Sequence, residues 1–196
     1  MSGCIRMPDP GVAIALLAAG RAERFGGGKL DALCAGKPLG AWAAQAVEAA
    51  KCAFQLVVVP TACPAFAKEL KGWSLVTNTA PEEGIAGSIR IAATAAQGFS
   101  RLVIALADMP LINTAHLRAL AAADGIVFTA YPDGDRGVPA AFPARCFGRL
   151  IELKGRAARL DWGEEITLFS PPSPQSLLDV DTADDLTRAQ ALLIGE

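Results

Sequence analysis

Two hydrophobic patterns alternate along this chain. Continuous apolar runs occur at Val12–Leu17, Gln55–Val59 and Leu102–Leu106, and such runs are typical of strands buried on both faces. The intervening stretches Leu39–Ala50 and Thr114–Ala123 instead have the composition of helices. This alternation predicts an α/β fold with a mainly parallel sheet that is covered by helices on both faces.

Shorter segments continue the same alternation. Further strands are expected at 74–77 and 125–130, and further helices at 64–71, 86–96 and 145–153. From Tyr131 the regularity falls, and turn-forming and proline-rich sequences replace it. We find neither an internal repeat nor a linker between domains. We therefore expect a single domain over residues 1–196, with residues 1–10 as a loose N-terminal arm.

Composition and charge exclude several classes of protein. Hydrophobic residues make up 52% and charged residues 19%, which argues against disorder. The net charge of -2 gives no electrostatic reason to expect nucleic acid or an anionic membrane as a partner. The five cysteines are scattered without a CxxC pair, so we expect reduced thiols and a cytoplasmic protein. The apolar run Val12–Ala19 is too short to span a bilayer.

The segment Leu17–Lys29 (LAAGRAERFGGGK) follows the first predicted strand and is the strongest candidate for a binding loop. Its small residues 18–20 let a ligand approach the backbone closely, and free N–H groups can bind a base or phosphate oxygens. Arg24 and Lys29 are cations suited to a triphosphate. Leu30 follows Lys29, so the segment is not a Walker A loop. A solvated glycine-rich turn is the alternative.

Carboxylates form the second group of candidates. Asp108 lies at the carboxyl end of a predicted strand, the edge at which open α/β sheets bind ligands, and it could hold Mg²⁺ there. Asp179 and Asp181 come just before Thr182 and Asp185, which resemble a capping box at the start of the last helix. For all three carboxylates, the capping of a helix or turn is the alternative to metal binding.

The candidate loop resembles the LAAGxSxRMGxxK signature of the MobA-like nucleotidyltransferases. Ala22 replaces the usual Ser and Phe25 the usual Met. Within this family the segment is most similar to the molybdenum cofactor cytidylyltransferases, because Ala19 differs from the LAGG of the guanylyl branch. The matching residues are Leu17, Ala18, Ala19, Gly20, Arg24, Gly26 and Lys29.

The resemblance implies a three-layer α/β/α domain of the Rossmann-like, GT-A-like nucleotidyltransferase fold, and it assigns roles to particular residues. Arg24, Lys29 and Asp108 would be catalytic. Asp108 of the DMP segment and Asp181 of a segment similar to D[IV]DTPEDL would bind Mg²⁺, with Asp181 favoured over Asp179. GIAGSIR, with Asn78 before it, resembles N…GMSSSLR. The nucleotide would be bound by Leu17, Ala18, Ala19, Gly20, Asn78, Gly84 and Ser88.

The implied reaction is transfer of a nucleoside monophosphate, with CMP favoured, from CTP or GTP to a phosphorylated acceptor. Pyrophosphate would leave, the acceptor would be molybdopterin or the molybdenum cofactor, and a molybdoenzyme could receive the product. The sequence departs from the family at Val138, where GHP is usual, and at 154–160, which lacks the Asp of GDxGAR. Two alternatives therefore stay open: transfer to a sugar or alcohol phosphate, and a non-catalytic protein that binds nucleotide and delivers cofactor.

Overall fold

The computed structural model describes residues 11–20 and 23–195, so the arm expected at 1–10 lies outside the described residues. The strands are β1 (Val12–Leu17), β2 (Leu33–Cys34), β3 (Lys37–Pro38), β4 (Phe54–Pro60), β5 (Ser74–Asn78), β6 (Arg101–Leu106), β7 (Ile126–Ala130), β8 (Arg136–Pro143) and β9 (Ile166–Phe169). The α-helices are α1 (Leu39–Ala50), α2 (Ala65–Lys68), α3 (Gly84–Ala95), α4 (Thr114–Ala122), α5 (Phe147–Ile151) and α6 (Ala183–Ile194).

Seven strands form the central sheet in the order β5-β4-β1-β6-β8-β7-β9, and β2 and β3 form a separate short hairpin. Strands β5, β4, β1 and β6 pair in parallel, and β7 pairs in parallel with β9. Strand β8 runs antiparallel to both of its neighbours, β6 and β7. The sheet is therefore mainly parallel, which confirms the predicted fold class.

The strand order creates a crevice next to β1. From β1 the chain moves outward to β4 and β5, and it then returns to place β6 on the other side of β1. Leu17, the last residue of β1, pairs with Leu106, the last residue of β6. Ligands bind at such a reversal, outside the carboxyl ends of the strands. The loop after β1 and the turn after β6 both lie at this edge.

Alternate residues of the buried strands pack on opposite faces of the sheet, as the strand period of two residues requires. Ile14 and Leu16 belong to a core cluster that includes Val47 of α1 and Leu117 of α4. Their neighbours Ala13, Ala15 and Leu17 belong to a second cluster, which includes residues of α3 and α5. Helices therefore cover both faces of the sheet, as predicted.

Strands β8 and β9 are absent from the sequence predictions. Strand β8 (RGVPAAFP) carries two prolines, which lack the N–H that a ladder hydrogen bond needs. The pairing with β7 shifts in register between Phe128 and Thr129, and the Thr129 hydroxyl donates to the Pro139 carbonyl at 2.5 Å. Strand β9 is short and only half-buried, so it shows little alternation.

Several predicted helices differ in length from those observed. The helix expected at 64–71 spans only Ala65–Lys68, and the helix expected at 145–153 is a 3-10 turn followed by Phe147–Ile151. Helix α3 begins at Gly84, two residues before the predicted start. The one histidine, His116, is buried in α4 and its ring nitrogen lies 2.8 Å from the Thr129 hydroxyl.

Candidate nucleotide and metal site

The loop after β1 brings a buried lysine into the crevice. Gly26, Gly27 and Gly28 all have positive φ, which residues with a Cβ rarely adopt, and they reverse the chain after the 3-10 turn Glu23–Phe25. A second 3-10 turn then begins at Lys29. Only 6% of Lys29 is exposed. Its ammonium group therefore needs partners within the protein.

Two carboxylates supply those partners. The Lys29 ammonium lies 2.8 Å from Oδ2 of Asp108 and 3.3 Å from Oδ1 of Asp181. The guanidinium of Arg24 donates to the other carboxylate oxygen of Asp181. Residues from the loop after β1, the turn after β6 and the segment before α6 thus meet at one point.

A backbone hydrogen bond joins the two acidic segments. The N–H of Val180 donates to the carbonyl of Asp108 at 3.0 Å. The Val180 side chain is fully buried in a small core cluster with Cys34, Leu39 and Ala189. Because this side chain anchors its segment in the core, the flanking Asp179 and Asp181 are held beside Asp108.

The helix caps use other residues. Thr182 caps α6, and its reciprocal hydrogen bonds with Asp185 form the predicted capping box. The side chain of Asn113 caps α4, the first α-helix after Asp108. Capping of these helices therefore does not account for the carboxylates of Asp108, Asp179 or Asp181.

These three carboxylates form a cluster of like charge. One oxygen from each lies within 4.8 Å of the others. Desolvation by the surrounding atoms and repulsion by Asp108 and Asp181 raise the pKa of Asp179 to about 7, although the residue is exposed overall. Burial alone would lower the pKa of Lys29, but attraction to the three carboxylates outweighs it and raises that pKa. Lys29 therefore stays protonated.

The cluster has the donors that a divalent cation requires. Oxygen ligands from carboxylates suit Mg²⁺ and Mn²⁺. Oδ1 of Asp108 is buried and has no hydrogen-bond partner within the described residues. Without a cation, a proton shared between Asp108 and Asp179 would be the other way to relieve the repulsion between these two carboxylates. A cation would satisfy this oxygen and favour the ionised form of Asp179. The residues therefore fit a divalent metal ion.

An open cleft surrounds these charges in two adjoining parts of about 440 and 450 Å³. Lys29 and Asp108 line both parts. The first part is also lined by Leu17, Ala18, Ala19 and Gly20, and the second by Leu17, Ala19, Gly20, Arg24, Gly84, Ser88 and Asp181. The structure thus gathers nearly all the predicted site residues around one cleft; their roles stay predictions.

Asn78 has a different position. It is 1% exposed and does not line the cleft. Its amide nitrogen lies 3.1 Å from the Ser88 hydroxyl, and its amide oxygen accepts from the N–H of Ala80. In this arrangement Asn78 positions Ser88 through a hydrogen bond. A direct contact between Asn78 and a nucleotide base would require its hydrogen bonds with Ser88 and Ala80 to break.

Sequence reasoning missed one wall of the cleft. The wall consists of Pro60, the last residue of β4, and the segment that follows it, where Cys63 lies, and it carries no charged side chain. Asp31 holds it in place, because its carboxylate accepts from the N–H groups of Ala65 and Phe66 at 2.8 and 2.9 Å. Asp179 also belongs to the cluster, although the sequence favours Asp181 over Asp179 as the metal ligand.

The fold and cleft place this chain among the Rossmann-like nucleotidyltransferase folds. The chain belongs to the MobA-like NTP transferase domain family, which it matches over residues 14–166. This membership supports a nucleotidyltransferase activity. No curated protein matches the sequence. Within the described residues, no helix is long and apolar enough to cross a membrane.

Solved structures show similar folds. Rv0371c from Mycobacterium tuberculosis H37Rv is 25% identical with a TM-score of 0.77, covering 91% of this chain and 97% of its own. A nucleotidyl transferase from Methanothermobacter is 21% identical with a TM-score of 0.81, covering 94% and 98%. Molybdopterin-guanine dinucleotide biosynthesis protein A from Archaeoglobus fulgidus is 18% identical with a TM-score of 0.66, covering 94% and 100%. The last two show likeness of fold alone.

Proposed function

We propose that this protein transfers a nucleoside monophosphate, with CMP favoured, from a nucleoside triphosphate to a phosphorylated acceptor and releases pyrophosphate. One observation carries the proposal: Lys29, Arg24 and three carboxylates meet at the crevice where β1 and β6 end. Cations for phosphates and oxygen ligands for a metal are the two sets of groups that such a transfer needs.

The phosphate site combines the backbone of the first loop with two cations. Ala19 and Gly20 would bind the nucleotide through their main-chain N–H groups, because their small side chains let a ligand approach closely. Ala18 lines the cleft beside them, but its own N–H already donates to the Val58 carbonyl at 2.8 Å. Arg24 and Lys29 would offset charge on the β- and γ-phosphates as pyrophosphate departs. Both line the second part of the cleft, beside Gly84 and Ser88 of α3, the residues proposed for the base and ribose.

Asp108 and Asp181 would hold Mg²⁺, and Asp179 is close enough to join them. When bound, the ion supplies charge neutralisation for the phosphates and orients them. A manganese complex has been solved for the Mycobacterium tuberculosis relative, which supports a divalent cation here.

The acceptor would occupy a third pocket of about 320 Å³. This pocket adjoins the cleft through Ile85, which lines both. Val138, Arg136 and Arg156 are among the residues that line it. A phosphate monoester of the acceptor could reach the α-phosphate past Ile85, with an arginine for its charge. Molybdopterin is our preferred acceptor, since the Archaeoglobus fulgidus relative is named for molybdopterin-guanine dinucleotide biosynthesis.

No general base is required if the acceptor is a phosphate monoester. Its oxygen is already ionised near pH 7, attacks the α-phosphorus, and displaces pyrophosphate as the bond between the α-phosphorus and the bridging oxygen breaks. The one histidine is unsuited to the role, because His116 is buried against Thr129 and burial lowers its pKa. Catalysis would rest on positioning and charge neutralisation.

Pyrophosphate release tests the proposal. The protein would be incubated with Mg²⁺, each nucleoside triphosphate and a panel of acceptors, namely molybdopterin, sugar phosphates and alcohol phosphates. Asp108→Asn or Arg24→Ala should reduce turnover at least about 10²–10³-fold with the fold intact. The matched control is Asp124→Asn, since Asp124 is exposed at the amino end of β7, the opposite edge of the sheet.

The outcomes separate the alternatives. Release with wild-type rate from Asp108→Asn would refute the role assigned to that carboxylate. Turnover only with a sugar or alcohol phosphate would redirect the acceptor, and nucleotide binding without release under any condition would favour a cofactor-delivery protein. We place the activity in the cytoplasm because the described cysteines are free thiols. A molybdoenzyme is the proposed recipient of the product.

A further inference from the structure

The cations proposed for the phosphates are paired with the carboxylates proposed for the metal. Arg24 contacts Asp181, and Lys29 contacts both Asp108 and Asp181. These ion pairs occupy the same cations and carboxylates that would otherwise contact the phosphates and the metal of a bound metal–nucleotide complex. The free protein therefore holds its two half-sites together in mutual contact.

This pairing affects each ligand when it arrives alone. A divalent ion must compete with Arg24 and Lys29 for carboxylate oxygens. A triphosphate must draw the same two cations away, which leaves three carboxylates within 4.8 Å of one another without their cations and beside phosphate anions. When both ligands arrive, the cations can pair with the phosphates and the carboxylates with the metal, so each ligand reduces the repulsion that the other would meet alone.

The two cations differ in their freedom to change partners. Lys29 is 6% exposed and fixed by two carboxylates, whereas the side chain of Arg24 is 74% exposed. Arg24 also lies in a short 3-10 turn just before three glycines with positive φ. Arg24 can therefore swing to a new partner with little change in the core, while Lys29 can only redirect its ammonium group locally.

We propose that Arg24 blocks the metal site until a triphosphate draws it away, so that metal and nucleotide bind cooperatively by exchange of ion-pair partners. This inference rests on the proposed function only in taking a triphosphate as the second ligand. Coupling between two ligands is reciprocal, so each should raise the affinity for the other by the same factor.

Mn²⁺ binding without nucleotide tests the block directly, and free Mn²⁺ can be followed by electron paramagnetic resonance. Arg24→Gln removes the competing cation from an exposed position, so the fold should survive. We expect this variant to bind Mn²⁺ roughly 1.4- to five-fold tighter than wild type, the range for one exposed ion pair. Arg145→Gln is the control, since Arg145 pairs with Glu164 in a distant exposed contact. Unchanged or weaker Mn²⁺ binding by Arg24→Gln overturns the inference.

A second arm adds CTP at a fixed concentration. The Mn²⁺ affinity of wild type should rise on addition of CTP, and that of Arg24→Gln should rise by a smaller factor. An equal rise in both proteins contradicts partner exchange. The result is independent of turnover: tighter Mn²⁺ binding by Arg24→Gln in a protein that releases no pyrophosphate keeps the block and removes the proposed reaction. Conversely, if wild type releases pyrophosphate but Arg24→Gln binds Mn²⁺ no more tightly than wild type, the proposed reaction stands and the block by Arg24 is refuted.

Discussion

Asp179→Asn tests the carboxylate cluster by removing one of its charges. Carboxylate oxygens of Asp108, Asp179 and Asp181 lie within 4.8 Å of one another. Two like charges at that separation repel by about 0.9 kcal/mol in water and about 3.5 kcal/mol at an effective dielectric constant of 20. Attraction to Lys29 offsets part of this repulsion, and the exposure of Asp179 screens it further. We expect the metal-free variant to be more stable by about 1 kcal/mol.

The difference in stability between Asp179→Asn and wild type should depend on pH. The pKa of Asp179 is about 7 in the folded protein, against 3.8 ordinarily. Between these values the folded state keeps a proton that the unfolded state releases, so wild-type stability falls as pH rises through this window. Asparagine does not titrate. The advantage of the variant should therefore be largest at pH 8, smaller at pH 5 and absent below the unfolded pKa.

Thermal unfolding in EDTA at pH 5 and pH 8 measures this effect. For a chain of this size, 1 kcal/mol corresponds to about 2–4 °C in Tm. On addition of Mg²⁺ the order should reverse, because wild type has the additional carboxylate for the ion and gains more from binding. Glu165→Gln, exposed and just before β9 at the opposite edge of the sheet, controls for general effects of charge. A variant that is less stable than wild type in EDTA at pH 8 would refute the repulsion.

The remaining predictions concern single positions. Gly20→Ala should leave Tm unchanged, because a Cβ there meets no protein atom within 4 Å, but it should weaken CTP binding about tenfold by intruding on the cleft. In a denaturant titration, Gly40→Ala should lower the free energy of unfolding by about 1–3 kcal/mol, since its Cβ would lie 2.5 Å from the Phe66 ring. Gly148→Ala is the control, because its Cβ would meet no atom within 4 Å and the change should be neutral or stabilising. Thr182→Ala should cost about 1 kcal/mol in that titration through loss of the α6 cap.

Elements with a continuous hydrophobic pattern could be predicted from the sequence. Helices cover both faces of strands β1, β4 and β6, so these strands are apolar along most of their length and can be recognised from their composition. The meeting of Lys29 with Asp108 also follows from the sequence, once both are placed after parallel strands. The carboxyl ends of parallel strands lie at the same edge.

Contacts set by tertiary packing could not be predicted in this way. The orientation of Asn78 depends on Ser88, ten residues along the chain, and its polar side chain gives no sign that it turns inward. The choice between Asp179 and Asp181 was posed as an alternative, yet both lie in the cluster, since the buried Val180 between them is anchored and leaves both beside Asp108. A sequence pattern does not specify which side chains of a loop share a charge environment.

The same contrast separates the two halves of the candidate site. The half proposed for the nucleotide follows parallel strands with regular ladders, and its motifs resemble those of the family. The half proposed for the acceptor includes Val138 and Pro139, which have no partner in the ladders of β8 with β6 and β7 among the described residues. Side chains hold them instead: Tyr131 donates to the Val138 carbonyl, and Thr129 donates to the Pro139 carbonyl. Because this wall depends on a few side chains, substitutions there can reshape the proposed acceptor pocket while β1 and β6, which carry the proposed nucleotide site, stay in place.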